Sequence, residues 1–561
     1  MKRFLYPLLC LALLPVAARA ADAPAAFPAK APAAVPFSWT GGYLGLHAGW
    51  MFGRSAGQMQ DFPEISFMLP APLAMNPSGF IGGVQWGYNY QIGNTVLGFE
   101  SDLSGLAGAK AGATTTTLTV DGPQPATANT QLTWFGTTRA RLGYAATPNW
   151  LLYGTAGLAY GGVDLDSTIT LPITGVTFSG SRSKVHVGWT AGLGAEYAFG
   201  GNWSAKLEYL YYNLRGGTVV GFPDGLFINK TMTTLDLTGH IVRVGLNYRY
   251  NPGPWEPPAP AMYTKAPVMA LDPAWEVGLR FWYSSGRTSK DLFDTTGALL
   301  ISRLTYSGLD ALSGETFARW NHTSGVFVKG YLGIGAITKG NLQDEDFPPV
   351  TVPYSSTNSE IRNSAIFYGA IDVGYNFLRG PGYSLGAFVG YHYYDEQLNA
   401  YGCAQTGGAG SGICVPSIGT GVLAISNDGK WQSVRLGLNG QIMITDRLKL
   451  TADAAWLPYT RLDSADTHWL RTLNNPPSPG FFTGPIPEDG TGNSGYQLEA
   501  VLSYAVTPNF NIGIGGRYWK MSTKGLTHFE TAVFPPGAFA AQVLTFQTER
   551  YGVFAQGSVR F

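Results

Sequence analysis

Residues 80–90 read Phe80-Ile81-Gly82-Gly83-Val84-Gln85-Trp86-Gly87-Tyr88-Asn89-Tyr90. Phe80, Val84, Trp86, Tyr88 and Tyr90 share one parity with Gly82, while Ile81, Gly83, Gln85, Gly87 and Asn89 share the other. A period of two sends alternate side chains to opposite faces of a strand. One face here is aromatic and aliphatic, the other mostly small and polar. The same alternation predicts seven more strands before Tyr250, near 43–53, 95–106, 130–144, 150–163, 184–199, 203–213 and 239–250. In the last, Val242, Val244, Leu246, Tyr248 and Tyr250 alternate with Arg243, Gly245, Asn247 and Arg249.

Charged residues keep to the polar parity: Glu100 with Asp102, Arg139 with Arg141, then Glu196, Lys206, Glu208 and Arg243. Charges withdrawn from water are paired. The set therefore predicts a structural ion ladder filling a narrow barrel, not a catalytic carboxylate pair. An apolar outside around a polar inside is the pattern of a transmembrane barrel. Short connections at 93–95, 146–149 and 200–202 alternate with long ones near 54–78, 107–129, 164–183 and 214–238. Outer-membrane barrels have short periplasmic turns and long outer loops, and eight strands enclose a space that side chains fill.

The composition fits. The 561 residues include 74 Gly, 30 Phe, 30 Tyr and 15 Trp, and only 13% are charged, with 36 Lys+Arg against 36 Asp+Glu. A charged share near half the usual ~25%, with no basic excess, argues against nucleic acid as a partner. So many aromatics argue against disorder. After the first twenty residues no apolar run reaches the length of a membrane-spanning helix. Lys2 and Arg3, the apolar stretch Phe4–Val16 and Ala18-Arg19-Ala20 read as a secretory signal peptide over residues 1–20. An Ala/Pro-rich lead-in follows over 21–37. The exported chain keeps two cysteines, Cys403 and Cys414, flanking a Gly-rich loop, and a local disulfide is expected. No P-loop, zinc motif or nucleophile elbow is present, and no cofactor is expected.

Residues 38–250, opening Ser38-Trp39-Thr40-Gly41-Gly42-Tyr43, resemble the small eight-stranded porin-family or opacity-like surface barrels of Gram-negative bacteria. That resemblance implies an outer-membrane location and an envelope-structural or adhesive role. Pro252, Pro254, Pro257, Pro258, Pro260 and Pro267 then mark a periplasmic linker over 251–273. Alternation resumes from Trp275, giving a second domain over 274–561. Ten strands are expected there: 275–287, 298–320, 325–338, 361–377, 383–400, 429–443, 447–466, 494–506, 509–523 and 547–561. With its N-terminus in the periplasm, the loops after the third and seventh strands face outward. Asp344-Glu345-Asp346 follows the third, and Asp463-Ser464-Ala465-Asp466-Thr467-His468 ends the seventh. Residues two apart point the same way, so Asp344 pairs with Asp346, and Asp466 with His468, at one mouth.

This constellation resembles the omptin family of outer-membrane proteases, ten-stranded barrels in which an Asp-Asp pair faces an Asp-His pair. Gly286-Arg287-Thr288, and Tyr383–Tyr391 followed by Ala400-Tyr401-Gly402, resemble its strand motifs. The resemblance implies that His468 takes a proton from water, Asp466 orients His468, Asp344 helps hold the water and Asp346 supports Asp344. It implies a polypeptide substrate at the cell surface and lipopolysaccharide as an activator. The terminal Phe561 resembles the signature that barrel assembly machinery reads. Departures stand beside this. Ser464 and Lys290 occupy positions where the family has specificity acids (Asp291 lies one residue further on), and Tyr354–Ser359 replaces a tryptophan-acid loop signature. The expected fold class is all-β, two transmembrane antiparallel up-and-down β-barrels of eight and then ten strands. The alternatives are a non-enzymatic structural, porin-like or adhesin barrel, or one fused eighteen-stranded pore.

Overall fold

A computed structural model describes residues 37–62, 67–224, 230–250, 274–347, 353–408, 414–471, 484–527 and 541–560. The expected signal peptide, nearly all of the expected lead-in, the expected linker and Phe561 lie outside these residues.

The first sheet contains β1 (Gly41–Phe62), β2 (Ala71–Met75), β3 (Ser78–Ile92), β4 (Thr95–Thr119), β5 (Gly122–Thr147), β6 (Trp150–Leu171), β7 (Val176–Gly200), β8 (Trp203–Pro223) and β9 (Lys230–Tyr250). Every pairing is antiparallel, and β1 pairs with both β3 and β9, closing a ring of eight; β2 pairs only with the outer part of β1. Across the ring Glu100 lies opposite Arg139, Glu196 opposite Lys206 and Glu208 opposite Arg243.

The expected long loops are a correction. Much of 54–78, 107–129, 164–183 and 214–238 is strand, with β4 and β5 joined by only two residues and β6 and β7 by four. The reason is that the alternation continues with its sense inverted. Above the lipid belt Met59, Leu73, Ala126, Leu165, Ile169, Phe178 and Val219 turn inward and form an apolar cluster, while Thr114 and Thr116 face water. These hairpins fold as a water-soluble sheet does, hiding the apolar face.

The second sheet contains β10 (Ala274–Phe293), β11 (Leu300–Asn321), β12 (Val326–Asp346), β13 (Ser355–Ile361), β14 (Ser364–Gly380), β15 (Tyr383–Gly407), β16 (Ile418–Met443), β17 (Leu448–His468), β18 (Ile486–Gly492), β19 (Gly495–Ala505), β20 (Phe510–Thr527) and β21 (Gln542–Arg560). A 3-10 turn, Trp469–Arg471, follows β17. The twelve segments make ten ring positions. Both β13 and β14 pair with β12 and β15, and both β18 and β19 pair with β17 and β20. Each is one strand interrupted, at Asn363 (φ 47°) and at Asn493 (φ 55°). Asn tolerates this left-handed conformation better than most residues. The ring closes through β11–β12 and β10–β21. Two closed rings replace the alternative of one eighteen-stranded pore.

Both interiors are filled. Arg280, Glu315, Glu499 and Arg517 form one ion-paired group inside the second ring, beside Trp519 and Tyr368. A cavity there has a volume of about 90 Å³. The rings also touch each other. Tyr88, in the stretch quoted first, stacks on Phe510 at 4.8 Å and is buried with Phe99 and Leu279. Val187 packs with Ile334, Ala336 and Ala365. A Cβ on Gly314 would lie 3.0 Å from Thr138. Residues of lipid-facing type are thus covered by the neighbouring ring.

Candidate active site

Tyr283, Leu312, Leu332, Trp456 and Tyr459 are exposed on the outside of the second ring and mark its apolar belt. Its strands continue past that belt, away from the short turns. Lys290 lies seven residues beyond Tyr283, Asp344 twelve beyond Leu332, and Asp466 seven beyond Tyr459. In an outer-membrane barrel the end away from the short turns faces outward. Asp344 sits opposite Leu304 and Thr357, and Asp466 opposite Asn427 and Ile486.

His468 Nε2 is 3.3 Å from Asp466 Oδ2. Lys290 Nζ donates to the same oxygen at 2.7 Å and to Glu488 at 3.0 and 3.2 Å. Among the described residues Asp466 Oδ1 and the Tyr306 hydroxyl are buried with no hydrogen-bond partner, and Tyr306 lies within electrostatic reach of Asp466, Glu488 and Asp344. Ser302 hydrogen-bonds Asp346, and the charge of Arg471 acts on Asp346 as well.

These neighbours set the protonation states. Burial pushes the Asp344 carboxyl up to about 6, against the opposing charge of His468; Asp346 and Asp466 add to the rise. Burial also raises Asp346. Burial would raise Asp466 too, but Lys290, and then His468, hold it well below the carboxylate range. Burial disfavours the His468 imidazolium, yet Asp466 and Asp344 together hold its pKa above the ordinary value, with Lys290 opposing them. Glu488 is raised by burial despite Lys290.

The four expected residues thus stand at one end of the second ring, with His468 and Asp466 in contact and Asp344 and Asp346 within electrostatic reach of His468. Glu488 and Tyr306 were not anticipated, and Lys290 was seen only as a departure. Glu488 does carry a faint signal: Ile486, Glu488 and Gly490 alternate with exposed residues in β18. The neighbouring Pro487, Gly490 and Gly492 mask it as a strand.

The ladder residues meet inside the first ring. Arg139 contacts Glu100 at 2.5 Å, Glu208 at 2.9 Å and Asp102 at 3.0 Å, and Arg141 contacts Glu196 at 2.8 Å and Glu100 at 3.4 Å. Cys403 and Cys414 are joined, with Cα atoms 5.7 Å apart.

Closed antiparallel rings with filled polar interiors and apolar outer belts define an integral outer-membrane β-barrel protein. Residues 8–250 match the outer membrane protein beta-barrel domain. The 31 kDa outer-membrane immunogenic protein of Brucella melitensis biotype 1 is 40% identical over 219 residues, which cover 38% of this chain and 85% of that protein. The 22 kDa outer membrane protein of Rhizobium leguminosarum bv. viciae is 33% identical over 174 residues, covering 31% and 64%. Through its first ring the chain belongs to this outer-membrane β-barrel family, and its location is the outer membrane. Among solved structures it is similar to the outer membrane protease OmpT from Escherichia coli, at 14% identity and a TM-score of 0.40, covering 51% of this chain and 97% of that one.

Proposed function

We propose that the second ring is a surface endopeptidase that activates water. The observation that carries this reading is the contact of His468 Nε2 with Asp466 at the outward end of the ring, with the half-buried carboxyl of Asp344 within electrostatic reach of both. With Nε2–H donating to Asp466, the lone pair lies on Nδ1. His468 then takes a proton from a water as its oxygen adds to the peptide carbonyl. Asp344, supported by Asp346, orients that water. Collapse of the tetrahedral adduct breaks the C–N bond, and His468 returns the proton to the leaving amine. The products are a carboxylate and an amine, with no covalent enzyme intermediate. Lys290 and Ser464 stand where the omptin resemblance places specificity acids, so a preference for basic residues is not expected.

The test is cleavage of a peptide library by the refolded full chain with lipopolysaccharide, run in ¹⁸O-water and read by mass spectrometry. One ¹⁸O should enter each new carboxylate under single-turnover conditions. His468→Ala should slow cleavage by roughly 10²–10⁴-fold. Equal rates for wild type and His468→Ala would end the protease reading.

One observation favours a non-enzymatic surface barrel: Lys290 bonds the same Asp466 oxygen that His468 contacts. On that reading the cluster is structural, and neither wild type nor Lys290→Met cleaves any peptide.

A further inference from the structure

The 3-10 turn Trp469–Arg471 begins immediately after His468, and much of what holds it comes from the first ring. The Phe222 ring of β8 stacks on Trp469 with centroids 6.0 Å apart and planes 28° apart. The Arg182 guanidinium of β7 lies 5.5 Å over the same indole. Arg182 is itself fixed at both ends of its fork, donating to the Thr218 carbonyl at 3.1 Å and to Asn399 of β15 at 2.7 Å. Lys230 Nζ of β9 donates to the Leu470 carbonyl at 3.3 Å. Met232 is buried with Tyr401, Val422 and Leu423, against which Trp469 and Leu470 also pack. The second ring contributes one side-chain hydrogen bond to the indole, from Trp469 Nε1 to Ser426 at 2.9 Å. Nearby, Lys184 pairs with Asp428 and Thr218 bonds Tyr401, joining the same two surfaces.

We infer that the first ring is a brace for the candidate site: Arg182, Phe222 and Lys230 are positioning residues that fix the Trp469–Arg471 turn, and through it His468. A 3-10 turn of three residues has little stability of its own. It lies between β17 and residues outside the described set. A stacked ring, a cation over the indole face and a donor on the backbone carbonyl are three independent restraints. They act on the residues directly attached to the base, where small displacements are costly to a reaction that depends on alignment. Arg471, on the same turn, brings its charge to Asp346, so the brace also sets the distance between that charge and the carboxylate pair. The outer hairpins of the first ring thereby act inside the molecule, with the turn after His468 as the surface they recognise. The catalytic consequence rests on the protease reading; the contact itself does not.

The experiment uses the full chain refolded in detergent with lipopolysaccharide. Phe222→Ala, Arg182→Ala and the double variant are compared with Phe222→Tyr and with Thr114→Ala, an exposed change elsewhere on the outer hairpins. Folding of each is checked by the resistance of its barrel to unfolding in cold SDS. Hydrogen exchange is followed at the amides of 469–471, and kcat and KM are measured on any peptide the wild type cleaves. Exchange at 469–471 should quicken by about tenfold or more in the double variant, while kcat falls by roughly 10–100-fold with KM little changed. Phe222→Tyr, which keeps the stack, should restore both, and Thr114→Ala should alter neither. Unchanged exchange at 469–471 in a folded double variant overturns the brace. If the wild type cleaves nothing, the protease reading fails while the exchange result still decides the contact. If exchange quickens but kcat holds, the link from turn to His468 is refuted.

Discussion

Asp466 holds two cations with one oxygen. Lys290 and His468 both reach Oδ2, and they compete electrostatically: Lys290 lowers the affinity of His468 for its proton while Asp466 and Asp344 raise it. On the proposed mechanism His468 must be neutral to act as a base, so any peptide cleavage should rise with pH as His468 deprotonates above its ordinary range, and as Asp344 ionises near 6. Removing the lysine charge in Lys290→Met should shift the acid limb of the pH–rate profile upward; a downward shift would contradict this charge arrangement. The ladder makes a different prediction. Arg139 touches three carboxylates with no exposure to water, so Arg139→Met leaves buried charge uncompensated and should cost about 3–5 kcal/mol. The denaturant midpoint of the refolded chain measures it. At this scale the sequence disclosed what repeats at a spacing. Asp344 with Asp346, and Asp466 with His468, are two apart and point together. Glu488 and Tyr306 come from neighbouring strands, where the β17–β18 and β11–β12 registers set them beside Asp466 and Asp344, and a register is not visible in the spacing of one strand.

Strands were legible because lipid on one side and a polar interior on the other give alternation its contrast. The outer hairpins were not, since beyond the lipid the outward face becomes polar and the inward face apolar, and Thr, Ala and Gly carry little contrast. The two interrupted strands were also hidden, because a single Asn leaves the neighbouring alternation intact. Asn363 at φ 47° should accept Gly at little cost, whereas Asn363→Val should cost about 1–2 kcal/mol of stability, measured by chemical unfolding. The Cys403–Cys414 link closes a loop with a sequence separation of 11. Replacing both cysteines by Ala should cost about 2–3 kcal/mol in the same assay, with the effect confined to that hairpin if it unfolds locally.

At the level of the molecule, the even strand counts anticipated two separate rings, and each ring is closed on itself. Nothing in the strand pattern could show that the rings pack together, because a residue buried against a second barrel has the same character as one buried in lipid. Tyr88 and Leu279 are examples. Filled interiors predict the absence of porin-scale conductance when the refolded chain is placed in a planar bilayer; large, stable current steps would refute that packing. Gly314 tests the contact between rings. Gly314→Leu puts a bulky side chain against Thr138 and should expose the Tyr88–Phe510 stack, raising the reactivity of Tyr88 toward a tyrosine-selective reagent read by mass spectrometry.

That contact has a consequence for how the protein tolerates change. Residues 251–273 tether one ring to the other, so docking is an intramolecular equilibrium at an effective concentration on the order of millimolar. A face worth only about 4 kcal/mol then keeps the rings together half of the time. Substitutions that would dissociate two separate chains here produce partial opening, a graded loss that the tether reverses. Away from the turn after His468, a substitution in the docking face therefore weakens the contact by degrees, while the tether keeps the second ring within reach.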